Sequence, residues 1–336
     1  MQRRAFCFAL AALAIAGDTA AVEFARVRRG LKLRFPFDHG AHPDFRNEWW
    51  YATGWLDVAD GGKIGFQSTF FRVRTGIGED NASAFAPRQL LLAHAAIADP
   101  RLGALRVNQR AARVGFGRAG FASGRTDVWI GDWHIDQRGD RYRIDVQADE
   151  FAYALTLVPD GPPLLNGVAG FSAKAADEEH ASYYYSRPQL IVRGTANGLP
   201  VTGTAWLDHE WSSQYMAAGA SGWDWCGLNL DGGEALMAFR MRGKEGAVAF
   251  APPGVGFEPL RTWKSPRTGT VYPVSVLVRA REQEYRLEPL MDDQELDARA
   301  STGTIYWEGA VRAFRADRQV GRGYLELTGY WRPMSI

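Results

Sequence analysis

Two short stretches place the residue types that move protons beside the largest apolar rings. Residues 205–211 read Ala-Trp-Leu-Asp-His-Glu-Trp, and residues 222–225 read Gly-Trp-Asp-Trp. They hold Trp206, Trp211, Trp223 and Trp225, a third of the chain's 12 tryptophans, interleaved with Asp208, His209, Glu210 and Asp224. A partly dry pocket with a few polar handles has this composition. A carboxyl held against indole rings loses hydration, so its charged form is disfavoured and its pKa rises. Such a group can stay protonated near neutrality and act as an acid. The competing reading is a tryptophan-rich core strand whose acids point to solvent.

Strand alternation sorts these residues. Across 202–211, Leu207, His209 and Trp211 share one face, and Trp206, Asp208 and Glu210 share the other. A small barrel buries one face in its lumen. Either His209 with Trp211 or Asp208 with Glu210 should therefore see a cavity, but not both sets. Addition of water to an isolated C=C bond is one reaction that suits such residues. Proton delivery to carbon creates a tertiary carbocation, so the site needs a proton donor, an electron-rich wall and an ordered water. Aromatic faces attract cations by about 0.5–2 kcal/mol per contact. Trp211, Trp223 and Trp225 could form that wall, with Trp206, Trp50 and Tyr184 as further ligand contacts. His209 as imidazolium, or a desolvated Asp224 or Asp208, could supply the proton.

The elements that must position these groups are strands. Period-2 segments rich in aromatic and β-branched residues recur along the chain, separated by Gly, Asp and Pro turns such as 59–62 and 138–140. Long amphipathic helical patterns are nearly absent. Many short strands at regular spacing argue an all-β sandwich or barrel. An internal echo suggests duplication: 203–208 (Gly-Thr-Ala-Trp-Leu-Asp) resembles 321–326 (Gly-Arg-Gly-Tyr-Leu-Glu), and 142–145 resembles 285–288 in the same order. Two related β domains are expected, 22–200 and 201–336, with the junction between 193 and 204.

With 336 residues and 46% hydrophobic composition, the chain can bury a sizeable core. Its net charge of +1 and lack of a basic run give no support for nucleic-acid binding. Residues 1–21 read as a signal peptide cleaved near Ala21. Arg3-Arg4 precede an apolar run over 5–16, and Thr19-Ala20-Ala21 follow it. Arg3-Arg4-Ala5-Phe6 also fits a twin-arginine signal. A soluble periplasmic protein is expected. Loss of Cys7 would leave Cys226 as the only cysteine, read as a buried apolar residue. His39, His42, Asp44, Glu48 and His94 form an N-terminal cluster without a recognised metal-ligand spacing, so no metal is expected. Glu48 and Arg72 lie in aromatic strands and read as a buried ionic pair. Neither a phosphate-binding glycine loop nor a G-x-S-x-G elbow is present.

One family resemblance becomes specific at this point. Residues 37–45 (Phe-Asp-His-Gly-Ala-His-Pro-Asp-Phe), Glu48-Trp49-Trp50-Tyr51 and Gly54 resemble the start of the AttH-like family. That family includes the carotenoid 1,2-hydratases, also called hydroxyneurosporene synthases. Segments 92–96, 182–186, 208–211, 222–225 and 323–329 resemble the same pattern in order, across essentially the whole mature chain. The resemblance implies two packed lipocalin-like β-barrels with a cavity for a large apolar molecule, an isoprenoid, polyene or lipid. It also implies a hydro-lyase or cyclase-like isomerase without a cofactor, using His209 and Trp211. One departure stands out: the hydratases carry a Tyr and an Asp on the strand after the tryptophan motif, and residues 234–242 hold neither. The alternative is a non-catalytic lipid carrier or chaperone, serving an envelope ABC transporter and touching the membrane peripherally.

Overall fold

The computed structural model describes residues 22–334; the expected signal peptide lies outside them. The chain forms two large antiparallel sheets. The first contains β1 (Asn47–Val58), β2 (Lys63–Arg74), β3 (Gln89–Ala98), β4 (Arg106–Arg113), β5 (Ala119–Phe121), β6 (Asp127–Ile130), β7 (Trp133–Arg138), β8 (Arg141–Gln147), β9 (Ala152–Val158), β10 (Leu164–Leu165), β11 (Phe171–Ala173), β12 (Ala181–Ala196) and β13 (Leu199–Gln214). The second contains β14 (Ala220–Leu230), β15 (Ala235–Gly243), β16 (Val248–Phe250), β17 (Gly256–Lys264), β18 (Val271–Ala280), β19 (Gln283–Pro289), β20 (Glu295–Ala298), β21 (Thr304–Arg315) and β22 (Arg318–Leu327). No helix among the described residues is long and apolar enough to cross a membrane.

Each sheet curls into a barrel-like half. In the first, the order runs β4-β3-β2-β1-β13-β12-β9-β8-β7-β6-β5. Its ends approach through Arg110 of β4, which donates to the carbonyls of Ile130 (2.9 Å) and Gln147 (3.1 Å) and lies over the Trp133 ring. The lumen is packed with Trp50, Phe66, Phe70, Trp133, Ile135 and Leu207 among others. The second sheet runs β16-β15-β14-β22-β21-β19-β18-β17. It encloses its own core, built around Leu228, Val276, Trp307 and Leu325. Cys226 is buried there, as its apolar surroundings suggest, and burial pushes its thiol up to about 12.

The passage between the sheets lies farther along the chain than the expected junction. Asn197 and Gly198 both have positive φ, 48° and 78°. An Asn-Gly pair in that conformation makes the type I′ turn that suits a two-residue hairpin. It joins β12 to β13, and β1 pairs with β13 along the whole length of β1. A boundary at residue 200 would cut this hairpin. The chain crosses to the second sheet only after Gln214. Tyr183–Tyr185 all lie within β12, the first strand of this hairpin.

The two sheets meet through a third apolar layer that contains Tyr51, Trp55, Trp206, Tyr215, Trp225, Phe239, Met241 and Tyr324. Trp55 donates to the Gly323 carbonyl across this layer (3.0 Å), and Asn229 donates to the Ala205 carbonyl (3.0 Å). Gly65 permits the approach, since a Cβ there would lie 2.5 Å from the Tyr324 hydroxyl and 2.8 Å from Ala310.

Candidate active site between the sheets

A cavity of about 340 Å³ lies in this layer. Alternation in β13 turns Asp208 and Glu210 into it, and register places Tyr51 of β1 opposite Asp208 and Tyr184 of β12 opposite Glu210. The facing wall comes from the second sheet. There Glu308 of β21 and Glu326 of β22 are direct cross-strand neighbours, and Trp225 of β14 lies opposite Glu326. Trp223, Tyr215 and Tyr306 complete an aromatic lining. The lining also includes the exposed residues Arg46 and Thr302.

Asp208, Glu210 and Glu308 are each 3% exposed and Glu326 is half-buried, and their partners differ. Asp208 accepts from Trp206 Nε1 (2.6 Å), Ser186 Oγ (2.5 Å) and Tyr184 Oη (2.6 Å). Burial still outweighs these three donors and raises its pKa to about 7. Glu326 accepts from Trp223 Nε1 (3.0 Å), and burial beside Asp208 and Glu210 likewise brings it to about 7. Glu308 is pushed well up by burial and by the neighbouring Glu326; its Oε1 has no hydrogen-bond partner among the described residues. Glu210 is raised by burial against the opposing pull of Lys174, whose Nζ stands 2.7 Å from Glu210 Oε1. Lys174 is itself lowered by burial and sits over the rings of Phe239, Tyr215 and Tyr184 at 4.2–5.1 Å. The hydroxyls of Tyr51, Tyr184, Tyr215 and Tyr306 are all raised by burial, so they remain donors.

The opposite face of β13 tells a different story. His209 and Trp211 point into the first barrel and do not line the cavity. His209 Nε2 lies 2.8 Å from Glu48 Oε1, its Nδ1 lies 3.2 Å from Tyr185 Oη, and its ring stacks on Trp50. Burial lowers its pKa, so an imidazolium acid is disfavoured at this position. Trp211 stacks on His42 at 3.7 Å between ring centroids. Glu48 also accepts from His42 Nδ1 (2.9 Å) and from Arg72 Nε (2.7 Å). The buried Glu48–Arg72 pair read from the sequence is therefore present, with both side chains fully enclosed. Although His42, Glu48 and His209 offer ligand atoms within 4.8 Å of one another, Arg72 already occupies Glu48 Oε2 and opposes a second cation.

The other expected site residues divide in the same manner. Tyr184, Trp223 and Trp225 line the cavity. Trp206 lies behind it, with its indole N–H on Asp208 and its ring 6.2 Å from Trp225. Trp50 is sealed inside the first barrel, so it is not a ligand contact. Asp224 faces away from Trp223 and Trp225, as the period of β14 requires. It is held by Arg240 (2.7 Å), Arg242 (3.4 Å) and Tyr330 Oη (3.0 Å), an ionic cluster rather than an acid facing the cavity.

Glu308, Glu326, Tyr51 and Tyr306 are not among the expected site residues, and His94, expected only in the N-terminal cluster, lines the cavity with them. One signal pointed at Glu326: the internal echo aligns it with Asp208, and both carboxyls face the same space. Glu308 then follows from strand pairing. A Tyr–Asp contact is absent from 234–242, but Tyr184 Oη donates to Asp208 Oδ2 at the cavity (2.6 Å).

A two-barrel all-β protein with carboxyls of raised pKa lining a cavity between its halves is thus the class that fold and site define. The chain belongs to the AttH-like family, whose profile matches residues 26–330. It is similar to a crystal structure of an AttH candidate from Nitrosomonas europaea, with 48% identity over 91% of this chain and 100% of that one (TM-score 0.84). It shares the fold of kievitone hydratase from Nectria haematococca, at 14% identity over 93% of this chain and 97% of that one (TM-score 0.62). No curated protein is matched.

Proposed function

We propose that the chain is an exported, cofactor-independent hydro-lyase that adds water to a C=C bond of an apolar, isoprenoid-like ligand. The observation that carries this reading is the set of four carboxyls of raised pKa, two of them near 7, on an aromatic cavity. A protonated Asp208 or Glu326 donates its proton to one alkene carbon, and the adjacent carbon becomes a tertiary cation. Trp223, Trp225 and the tyrosine rings face that cation. Water adds to it through oxygen, and its surplus proton passes to a second carboxylate of the set, which leaves the group's proton count unchanged. The cavity lies at the small end of ligand pockets, which span about 300–1,000 Å³. It therefore suits the reacting end of a longer chain entering past Arg46 and Thr302.

The test incubates wild-type protein with acyclic isoprenoids in heavy-oxygen water and measures label in the alcohol. Asp208→Asn should lower the rate about 10²–10⁴-fold, the usual contribution of a general acid, while His209→Gln should stay within a few-fold of wild type. Activity should fall as pH rises through about 7, because the donating forms of Asp208 and Glu326 are lost there. Ligand retained without any label across several isoprenoids would defeat this reading and leave a lipid carrier.

A further inference from the structure

A second cavity, of about 370 Å³, lies in the first barrel-like half, away from the four carboxyls. Phe35, Pro36, Pro162 and Pro163 give it apolar walls, and Arg187 and His39 give it polar ones. Arg187 is 3% exposed, yet it lacks a proper counter-ion. Its Nη2 reaches the Gly161 carbonyl at 3.4 Å and Asp140 Oδ1 at 3.6 Å, and the Asp140 side chain is 81% exposed. Its Nε has no hydrogen-bond partner among the described residues. The nearby Tyr142, whose ring lies 5.8 Å from the guanidinium, also has a buried hydroxyl without a partner. Charged groups so enclosed are normally paired, because desolvation is otherwise uncompensated.

The backbone is built to put Arg187 there. β12 carries a bulge between Arg187 and Leu190. Before it, Tyr183 and Tyr185 point inward; after it, Leu190 and Val192 do. The extra residue changes the parity of the strand and leaves Arg187 as the last inward side chain before the bulge, a device that re-aims side chains near sites. Gln189 takes a φ of 53° within it. The second sheet holds this residue in place: its backbone N–H donates to Asn229 Oδ1 (2.8 Å), and its side chain donates to the carbonyls of Leu230 and Glu234.

We propose that this cavity binds a small organic carboxylate, its two oxygens on the Arg187 guanidinium and its apolar body against Phe35 and the prolines. The planar fork of arginine matches a carboxylate through two parallel N–H donors. Nη1 and Nη2 would provide them, because Nε is itself enclosed. Asp140 is the weak competitor that such a ligand displaces.

Calorimetric titration of the full chain with benzoate, acetate and inorganic phosphate at constant ionic strength tests this. Saturable benzoate binding is expected, at least tenfold tighter than either acetate or phosphate. Arg187→Gln should abolish it. Because that variant removes a buried group, Asp140→Asn provides a second arm at an exposed position: it should tighten benzoate several-fold. Asp208→Asn, in the other cavity, should leave benzoate affinity unchanged. The proposal is overturned by absence of saturable binding to folded wild type, by phosphate binding as tightly as benzoate, by an Asp140→Asn affinity equal to or weaker than wild type, or by loss of binding in Asp208→Asn.

Discussion

One strand, β13, serves two buried polar regions that behave in opposite ways. On its barrel face, His209 joins Glu48, His42 and Arg72 in a network in which Glu48 meets two histidines and a guanidinium. Those partners overcome desolvation and hold the Glu48 carboxyl well below its usual range. On its other face, Asp208 and Glu210 meet Glu308 and Glu326 across a cavity, with the buried cation Lys174 paired to Glu210. There desolvation prevails and the carboxyls are raised. Burial alone thus does not decide whether a carboxyl is an ion or a proton store. The number of donors and compensating charges around it decides.

The strongest way to break this comparison is to remove a partner from the saturated side. Arg72→Ala should destabilise the protein by about 3–5 kcal/mol, the usual result of leaving one member of a buried ion pair alone. Glu326→Gln, which swaps a protonated acid for a neutral isostere, should leave stability near wild type or above it. Chemical denaturation at pH 6 compares the two; equal losses would mean that the regions do not differ as described.

A second comparison uses pH. Asp208 has a folded pKa of about 7 against an ordinary value of 3.8. The folded state therefore holds its proton more tightly, and stability from this group falls as pH rises from about 4 to about 7. Asp208→Asn should be more stable than wild type at pH 8 by up to roughly 4 kcal/mol, at about 1.4 kcal/mol per pH unit between the two values. The advantage should vanish below pH 4. An advantage that does not vary with pH would show that Asp208 does not titrate between these values.

The smallest effect sharpens the picture within the cavity. Trp223→Phe keeps an aromatic wall but deletes the N–H on Glu326. A hydrogen bond to a charged group contributes about 1.5 kcal/mol, so the upper limb of the pH–activity profile should move upward by about one pH unit. No movement would place the controlling proton on Asp208 rather than Glu326.

Local rules were enough for much of this protein. The period of two in residues 202–211 separated Asp208 and Glu210 from His209 and Trp211, and the structure keeps that separation. The aromatic strands around Glu48 and Arg72 were enough to pair them. The ordered motifs from Phe37 to Gly329 were enough to recognise the AttH-like family and its two-barrel fold. Alternation says that two faces differ, but it does not say which face is the dry cavity and which the packed lumen. That depended on β1 and β12 flanking β13, and on β21 and β22 arriving from about a hundred residues away to close the space above Asp208. Glu308 and Glu326 look like ordinary strand acids in sequence, because a carboxyl's environment is set by what another sheet lays over it. Arg187 shows the same limit: its place depends on a one-residue bulge whose strained Gln189 is held by the second sheet.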